Sequence, residues 1–226
     1  MATLHVLRVF TDEAGAHGNP LGVFLDGGEV PEERRQAVAH ELGFSETVFV
    51  EEPASGAIRI FTPGLELPFA GHPTVGAAWL LAREGFPVPA LRPPAGEVAV
   101  RAEGELTFVA ARAEWSPAWE LVELGDPGEI DALEGPPDGR TDEVFLWSWI
   151  DEAAGTVRAR CWSLADGVGE DEATGSAAIM LAAALDREVS ILQGEGSRLV
   201  ARPLGEGRAE VGGRVVLDEL REFDAR

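Results

Sequence analysis

The chain has 226 residues with 40 acidic and 18 basic side chains, which gives a formal net charge of −22. This charge repels nucleic-acid phosphates and anionic lipid, so we expect neither a nucleic acid nor a membrane as a partner. All the basic residues are arginines, and without lysine the chain offers no Schiff base to pyridoxal phosphate and no P-loop lysine. The single cysteine, Cys161, excludes an internal disulfide and a pair of thiols acting as acid and base.

The first half of the chain predicts several strands that lead to one apolar helix. Alternating apolar residues indicate strands at residues 4–10, 21–25, 44–50 and 57–61. A proline at the first turn and a glycine past the last turn mark a helix over residues 31–42. Residues 74–84 contain too many small apolar side chains for a half-exposed helix, so we predict a buried central helix there. A hairpin over residues 97–111 would complete a first lobe, residues 1–113.

The second half, residues 114–226, predicts a similar lobe. A second buried helix is predicted at residues 176–185, and the last residues of the chain can pack back on the first lobe. Strands are predicted at residues 144–150, 157–162, 190–193, 198–202, 209–211 and 214–217. Because the strands come in runs and no GxGxxG motif follows the first one, a doubly wound parallel sheet is disfavoured. We expect an α+β fold of two similar lobes, each with a mixed or antiparallel sheet wrapped around its central helix.

Two glycine-containing turns open the two predicted central helices. Aligning residues 69–81 with residues 173–185 places Gly71 on Gly175 and His72 on Ser176, which indicates an internal duplication. The first turn of a helix presents unpaired N–H groups and the positive end of the helix dipole. Two such ends facing one cleft would hold a small anion, so we expect a carboxylate-bearing substrate. The alternative is that these turns are ordinary helix capping.

A small set of side chains at the mouths of these helices could handle protons, and its members are Glu46, His72, Asp171 and Ser176. We favour Glu46, because a carboxyl group in an apolar cleft beside Phe44 can have its pKa raised toward neutrality and can then both accept and return a proton. The alternatives are a solvated Glu46 at a strand start, a structural His72, and an Asp171 that only complements the helix dipole. No GxSxG elbow activates a serine, and the histidines and the cysteine lack metal-ligand spacing.

Six short motifs occur in the same order as in the PhzF-like proteins of phenazine biosynthesis, and the sequence resembles that family over nearly its whole length. The motifs are GNP (18–20), GFSET (43–47), RIFTP (59–63), ELPFAGHPT (66–74), EDEATGSA (170–177) and QG (193–194). The resemblance implies a diaminopimelate-epimerase-like fold, a homodimer, and no cofactor or metal. It also implies that Glu46 is the acid and base that moves a proton between carbons of a dihydro-hydroxyanthranilate.

The same resemblance implies that the substrate is surrounded by Ser45, Gly71, His72, Asp171, Gly175 and Ser176. Asn19, in a loop that is long enough to reach the site, is expected to bind substrate with them. Two departures from the family pattern stand out. Ala70 replaces a cysteine that many relatives carry, so two-cysteine epimerisation is not expected, and Glu172 replaces a proline, which should add charge at the rim of the site.

The sequence therefore predicts a cofactor-independent isomerase of a small, cyclic, carboxylate-bearing substrate. The alternatives are a catalytically silent binding protein of the same fold and, less favoured without a cysteine pair, an amino-acid epimerase. The N-terminal residues lack a basic region followed by a long apolar core, and no apolar run approaches the ~20 residues of a membrane span. We expect a cytoplasmic protein.

Overall fold

The computed structural model describes residues 1–137, 143–163 and 169–224. In this part of the chain, fifteen strands join into one continuous sheet with a mixture of parallel and antiparallel pairs. The strands are β1 (Ala2–Thr11), β2 (Asn19–Phe24), β3 (Glu46–Glu52), β4 (Ala57–Phe61), β5 (Glu66–Leu67), β6 (Ala90–Leu91), β7 (Val98–Glu103), β8 (Leu106–Arg112), β9 (Glu120–Glu123), β10 (Val144–Asp151), β11 (Thr156–Ser163), β12 (Gly169–Asp171), β13 (Val189–Gln193), β14 (Ser197–Gly205) and β15 (Arg208–Phe223).

Four α-helices accompany the described strands: α1 (Arg35–Leu42), α2 (Gly71–Arg83), α3 (Pro127–Asp131) and α4 (Gly175–Leu185). The two predicted central helices, α2 and α4, are present and are largely buried, as their small apolar residues require. The predicted helix over residues 31–42 consists of a 3-10 turn, Glu32–Arg34, followed by α1. It ends at Gly43, which has the left-handed backbone conformation (φ 68°) that glycine adopts without strain.

The internal duplication is visible in the strand pairing. In the first lobe β2 is parallel to β3, β3 is antiparallel to β4, β4 is antiparallel to β5, and α2 follows. In the second lobe β9 is parallel to β10, β10 is antiparallel to β11, β11 is antiparallel to β12, and α4 follows. Within each unit a shorter helix, α1 or α3, connects the parallel pair. The predicted α+β fold with two similar lobes is confirmed.

The long strand β15 connects the two halves of the sheet. Its residues 208–213 pair with β8, and most of these residues also pair with β14. Residues 214–223 pair with β1. The two predicted short strands at residues 209–211 and 214–217 are parts of this one strand, because Gly212 and Gly213 continue it. A Cβ atom would come within 2.4 Å of the Phe108 ring at Gly212 and within 2.6 Å of the Phe10 ring at Gly213. The two glycines therefore make room for aromatic rings inside an unbroken strand.

The hairpin β7–β8 lies beside the second half of the sheet through its pairing with β15. The last residues of the chain run along β1, the first strand of the first lobe. The two lobes thus share strands, and a lobe boundary near residue 114 stays a prediction.

The two central helices begin against each other. A Cβ atom at Gly71 would lie 2.6 Å from the carbonyl carbon of Gly175, and one at Gly175 would lie 2.9 Å from the backbone nitrogen of His72. Side chains cannot be accommodated at such distances without a shift of backbone. Glycine at both positions therefore allows the first turns of α2 and α4 to meet at the junction of the lobes.

We predict that Gly71→Ala destabilises the protein by about 1–3 kcal/mol, because its methyl group must push the two helix starts apart. Gly135→Ala is the matched control, since a Cβ atom there has open space around it, and it should change stability by less than about 0.5 kcal/mol. Urea unfolding of both variants measures the difference. Equal stabilities for the two variants would show that the contact between the helix starts is not tight.

Candidate active site

A cleft lies where the two helices meet. About 30 Å³ of its space can hold solvent, which is room for one or two water molecules. The walls are formed by Ser45, Glu46, Thr62, Leu67, Ala70, Gly71, His72, Pro117, Trp119, Ser163, Asp171, Thr174, Gly175 and Ser176.

Seven of the eight site residues predicted from the sequence lie in these walls, and the eighth, Asn19, lies directly behind them. The parallel pairing of β2 with β3 aligns Leu21 with Glu46, so the starts of both strands reach the same end of the sheet. The Ser45 hydroxyl donates a hydrogen bond to Asn19 Oδ1 (3.1 Å). The structure thus brings the predicted residues together, while their roles in catalysis stay predictions.

Glu46 and His72 form a close pair. Glu46 Oε2 lies 3.3 Å from His72 Nδ1, and the His72 side chain is only 2% exposed. Burial lowers the pKa of His72 to about 4, although the negative charge of Asp171 and a hydrogen bond with the Pro20 carbonyl act in the opposite direction. The imidazole is therefore neutral at physiological pH, and it contacts the Glu46 carboxyl group as a neutral partner.

Asp171 is the second buried carboxyl group of the cleft. Burial raises its pKa to about 6, and the negative charge of Glu46 acts in the same direction. Both of its oxygens accept hydrogen bonds, Oδ1 from Asn19 Nδ2 (2.6 Å) and Oδ2 from Thr174 Oγ1 (2.6 Å). Near neutral pH this group can exist with or without its proton, which allows the cleft to adjust its charge.

Gln193 forms hydrogen bonds that hold Asp171 and Thr174 in place. Its side-chain nitrogen donates to the Asp171 carbonyl (2.9 Å) and to Thr174 Oγ1 (2.8 Å), and its side-chain oxygen accepts from the Thr174 backbone nitrogen (3.0 Å). Gln193 is fully buried, so these bonds fix the approach to α4. The short QG motif was part of the family resemblance, but its sequence alone did not indicate this role.

The starts of both helices lack side-chain caps. Ala70, the N-cap residue of α2, has no polar side chain, and the Thr174 hydroxyl at the start of α4 bonds to Asp171 instead of the first turn. The N–H groups of a first turn have no carbonyl acceptor within their own helix. The first two residues of both helices line the cleft, so positive dipole ends and N–H groups lie beside it, as at sites that bind anions.

Two further features of the cleft were not predicted. Trp119, 7% exposed, donates from Nε1 to the Ser176 hydroxyl (2.9 Å), and Ser163 forms part of the wall. Trp119 and Ser176 are 57 residues apart in sequence, so no local pattern connects them.

The expectation that Glu172 adds charge at the rim of this cleft was wrong. Its carboxylate accepts hydrogen bonds from the Glu195 backbone nitrogen (3.0 Å and 3.1 Å) and from the Ser197 hydroxyl (2.7 Å). Ser197 in turn accepts from the Gly18 backbone nitrogen (3.0 Å). Glu172 therefore stabilises the turn between β13 and β14, and it lies in a surface groove that is separate from the cleft.

Comparison with known proteins decides the family. A model of the phenazine biosynthesis-like protein family matches residues 7–123. The trans-2,3-dihydro-3-hydroxyanthranilate isomerase of Pseudomonas fluorescens is 35% identical over 85% of this chain and 87% of its own length. The protein of the same name from Pseudomonas aeruginosa is 34% identical over 89% of this chain and 90% of its own. This chain belongs to the phenazine biosynthesis-like family.

Solved structures agree with this assignment. A PhzF-family protein of Bacillus anthracis superposes with a TM-score of 0.80 at 20% identity, covering 98% of both chains. A predicted epimerase of Pseudomonas aeruginosa superposes with a TM-score of 0.75 at 25% identity, covering 99% of both. With full-length relatives named as isomerases, this family member is an isomerase.

The described residues of this isomerase give little support to metal-dependent or thiol-based catalysis. No group of three His, Cys, Asp or Glu side chains there is arranged to hold a metal ion. Cys161 is fully buried, and burial raises the pKa of its thiol. Ala70 and Thr174 line the cleft without a thiol, so two-cysteine epimerisation has no pair of groups to use.

Among the described helices, none combines the length and apolarity of a membrane span.

We predict that His72 and Asp171 have opposite effects on the pH dependence of stability. The raised pKa of Asp171 makes the folded state bind more protons than the unfolded state between about pH 4 and 6, so stability falls as pH rises. The lowered pKa of His72 makes stability rise with pH over nearly the same range. In the wild type the two effects largely cancel.

In His72→Asn the contribution of His72 is absent and only that of Asp171 remains. Its free energy of unfolding relative to wild type should therefore fall by about 1 kcal/mol for each pH unit as pH rises from 4 to 6. Asp171→Asn, the reciprocal variant, should show the opposite slope. Urea unfolding at pH values from 4 to 7.5 measures both. Parallel stability curves for all three proteins would contradict the assigned pKa shifts.

We also predict that Glu172→Ala destabilises the protein by about 1–2 kcal/mol, because the Glu195 N–H and the Ser197 hydroxyl lose their acceptor. Glu172→Gln keeps one acceptor oxygen and should cost less. Glu195→Gln, in the same turn, is the control and should change little, since Glu195 contributes its backbone nitrogen to this contact. Chemical unfolding ranks the three variants, and a Glu172→Ala protein as stable as the control would rule out this role.

Proposed function

We propose that the protein is a cofactor-independent isomerase that moves a proton between two carbons of a small, cyclic, carboxylate-bearing substrate, with Glu46 as the acid and base. The observation that carries the proposal is the Glu46 carboxyl group, 3.3 Å from a buried neutral His72, in a cleft formed by two uncapped helix starts. The named activity of the Pseudomonas relatives supports the same reaction class.

The reaction needs one group that both removes and returns a proton. In the proposal Glu46 takes a proton from a carbon next to the unsaturated, carboxylate-bearing part of the substrate, and the electron pair of that C–H bond spreads into this system. Protonated Glu46 then delivers the proton to a second carbon, so one C–H bond breaks and another forms without an oxidant or a reductant. His72 contacts the carboxyl group throughout and orients it.

The rest of the cleft stabilises charge in this scheme. The N–H groups at the starts of α2 and α4 face the delocalised anion, which carries more charge in the transition state than in the substrate. Asp171, with its pKa raised to about 6, can hold a proton when an anionic substrate enters. Asn19 donates a hydrogen bond to Asp171 and accepts one from Ser45, and so holds the Asp171 carboxyl group in place. A homodimer in the cytoplasm is the setting that the family resemblance suggests.

The test is turnover of trans-2,3-dihydro-3-hydroxyanthranilate, the compound in the names of the relatives, in deuterated water. We expect the wild type to form an isomer that carries deuterium at the new C–H position, as detected by NMR. Glu46→Gln removes the acid and base, so its rate should fall by at least about a hundredfold. Glu41→Gln, at an exposed position of α1, is the control and should keep the wild-type rate.

Two outcomes would contradict the proposed function. Turnover that survives Glu46→Gln would remove Glu46 from its role. A wild type that binds carboxylate ligands but converts none of a panel of dihydro-hydroxybenzoates would favour a binding protein.

A further inference from the structure

A loop from the first half of the chain is bonded to the turn between β13 and β14 in the second half. Ser197, the first residue of β14, is fully buried. Its hydroxyl accepts a hydrogen bond from the Gly18 backbone nitrogen (3.0 Å) and donates one to the Glu172 carboxylate (2.7 Å). A backbone N–H can only donate and a carboxylate can only accept, so both directions are fixed. Glu172 therefore orients the Ser197 hydroxyl toward itself and leaves the oxygen to hold Gly18.

The residue after Gly18 belongs to the cleft. Asn19 Nδ2 donates to Asp171 Oδ1 (2.6 Å) and to the Ala173 carbonyl (3.1 Å). Glu172 stands between these two acceptors in the chain. The two segments are therefore joined twice, directly through the Asn19 side chain and indirectly through the serine hydroxyl of β14.

The backbone before Asn19 depends on support from outside the loop. His17 has a left-handed backbone conformation (φ 59°), which a residue with a side chain keeps only where its surroundings impose it. Gly18 follows with φ 85°. The His17 ring lies against Gly196, where a Cβ atom would come within 2.6 Å of it. Without the bond to Ser197 this turn can relax, and Asn19, at the start of β2, moves with it.

A movement of Asn19 changes the protonation of Asp171. Burial, followed by the charge of Glu46, raises the pKa of Asp171 to about 6, whereas the hydrogen bond from Asn19 acts to lower it. The titratable groups that face Asp171 from the neighbouring elements are Glu46 of β3, His72 of α2 and the Cys161 thiol of β11. With these groups unchanged, a weaker bond from Asn19 raises the pKa of Asp171 further.

We propose that Ser197, oriented by Glu172, is a positioning residue that holds the Asn19 amide on the Asp171 carboxyl group through the Gly18 backbone. The proposal rests on the proposed function, in which Asp171 adjusts the charge of the cleft when an anionic substrate enters. Neither Ser197 nor Glu172 is among the residues that line the cleft. The family pattern has proline at position 172, which offers no side-chain acceptor, so this contact belongs to the present chain and not to the pattern.

Ser197→Ala removes both hydrogen bonds of the hydroxyl without a change in charge. The NMR signal of the isotope-labelled Asp171 carboxyl carbon, assigned with Asp171→Asn, gives the pKa of this group between about pH 5 and 8. We expect this pKa to be higher than in the wild type by at least about 0.5. Ser148→Ala, at a buried serine of β10, is the matched control and should leave the pKa of Asp171 unchanged.

A pair of variants at position 172 separates the hydrogen bond from the charge. Glu172→Ala and Glu172→Gln both remove one negative charge next to Asp171, but only glutamine keeps an oxygen that can accept the Ser197 proton. The pKa of Asp171 should therefore be higher in Glu172→Ala than in Glu172→Gln. Thermal unfolding shows whether each variant folds, and this pair decides the question if Ser197→Ala does not.

Turnover gives a second readout. In the proposed function Asp171 is protonated when the anionic substrate is bound, so KM should rise as pH rises above the pKa of Asp171. In Ser197→Ala this rise should begin at a higher pH than in the wild type. A protein that is only less stable would keep the wild-type profile.

Equal pKa values of Asp171 in the wild type and Ser197→Ala, or in Glu172→Ala and Glu172→Gln, would overturn the proposal, as would a KM profile in Ser197→Ala that matches the wild type. The expected changes in pKa in a protein that converts no substrate would keep this proposal and remove the proposed function. Turnover that depends on Glu46, with an Asp171 pKa that does not respond to Ser197→Ala, would do the reverse.

Discussion

The meeting of two helix starts at Gly71 and Gly175 is the constraint on which the site depends. Each helix start carries a partial positive charge, so bringing two of them together is unfavourable unless negative charge lies nearby. Glu46 and Asp171 supply that charge in the free protein. A bound carboxylate would add to it, and Asp171 can then take up a proton because its pKa is raised to about 6. The contact between the helix starts therefore explains why two acidic groups share one cleft, and it is the reason that the proposed function places an anionic ligand there.

A site of this kind can hold an anion without a cationic side chain. The chain as a whole is strongly acidic, so no long-range attraction brings an anionic ligand to the cleft. In the proposed function, recognition comes from short-range donors, which are the backbone N–H groups and side-chain hydroxyls of the cleft. Trp119 and Gln193 donate hydrogen bonds to the hydroxyl groups of Ser176 and Thr174, which no ion pair holds in place.

Much of this arrangement followed from local sequence patterns. The buried helices α2 and α4 were marked by their small apolar residues, and the match of Gly71 with Gly175 indicated the duplication because both lie at the same place in the repeat. Contacts between distant residues left no such pattern. The bond from Trp119 to Ser176 depends on how the segment after β8 folds back. The continuity of β15 through Gly212 was also missed, because Phe108, the ring beside Gly212, is far away in sequence.

The duplication also shows why the cleft is not symmetric. Four residues before each helix start stand Leu67 in the first repeat and Asp171 in the second, and one residue after it stand His72 and Ser176. In the proposed function Glu46 exchanges a proton with the substrate, whereas Asp171, whose oxygens accept hydrogen bonds from Asn19 and Thr174, takes up a proton only to balance charge. An epimerase needs a proton donor on one face of the substrate and an acceptor on the other. The proposed function, in which Glu46 alone removes and returns the proton, needs only one such group.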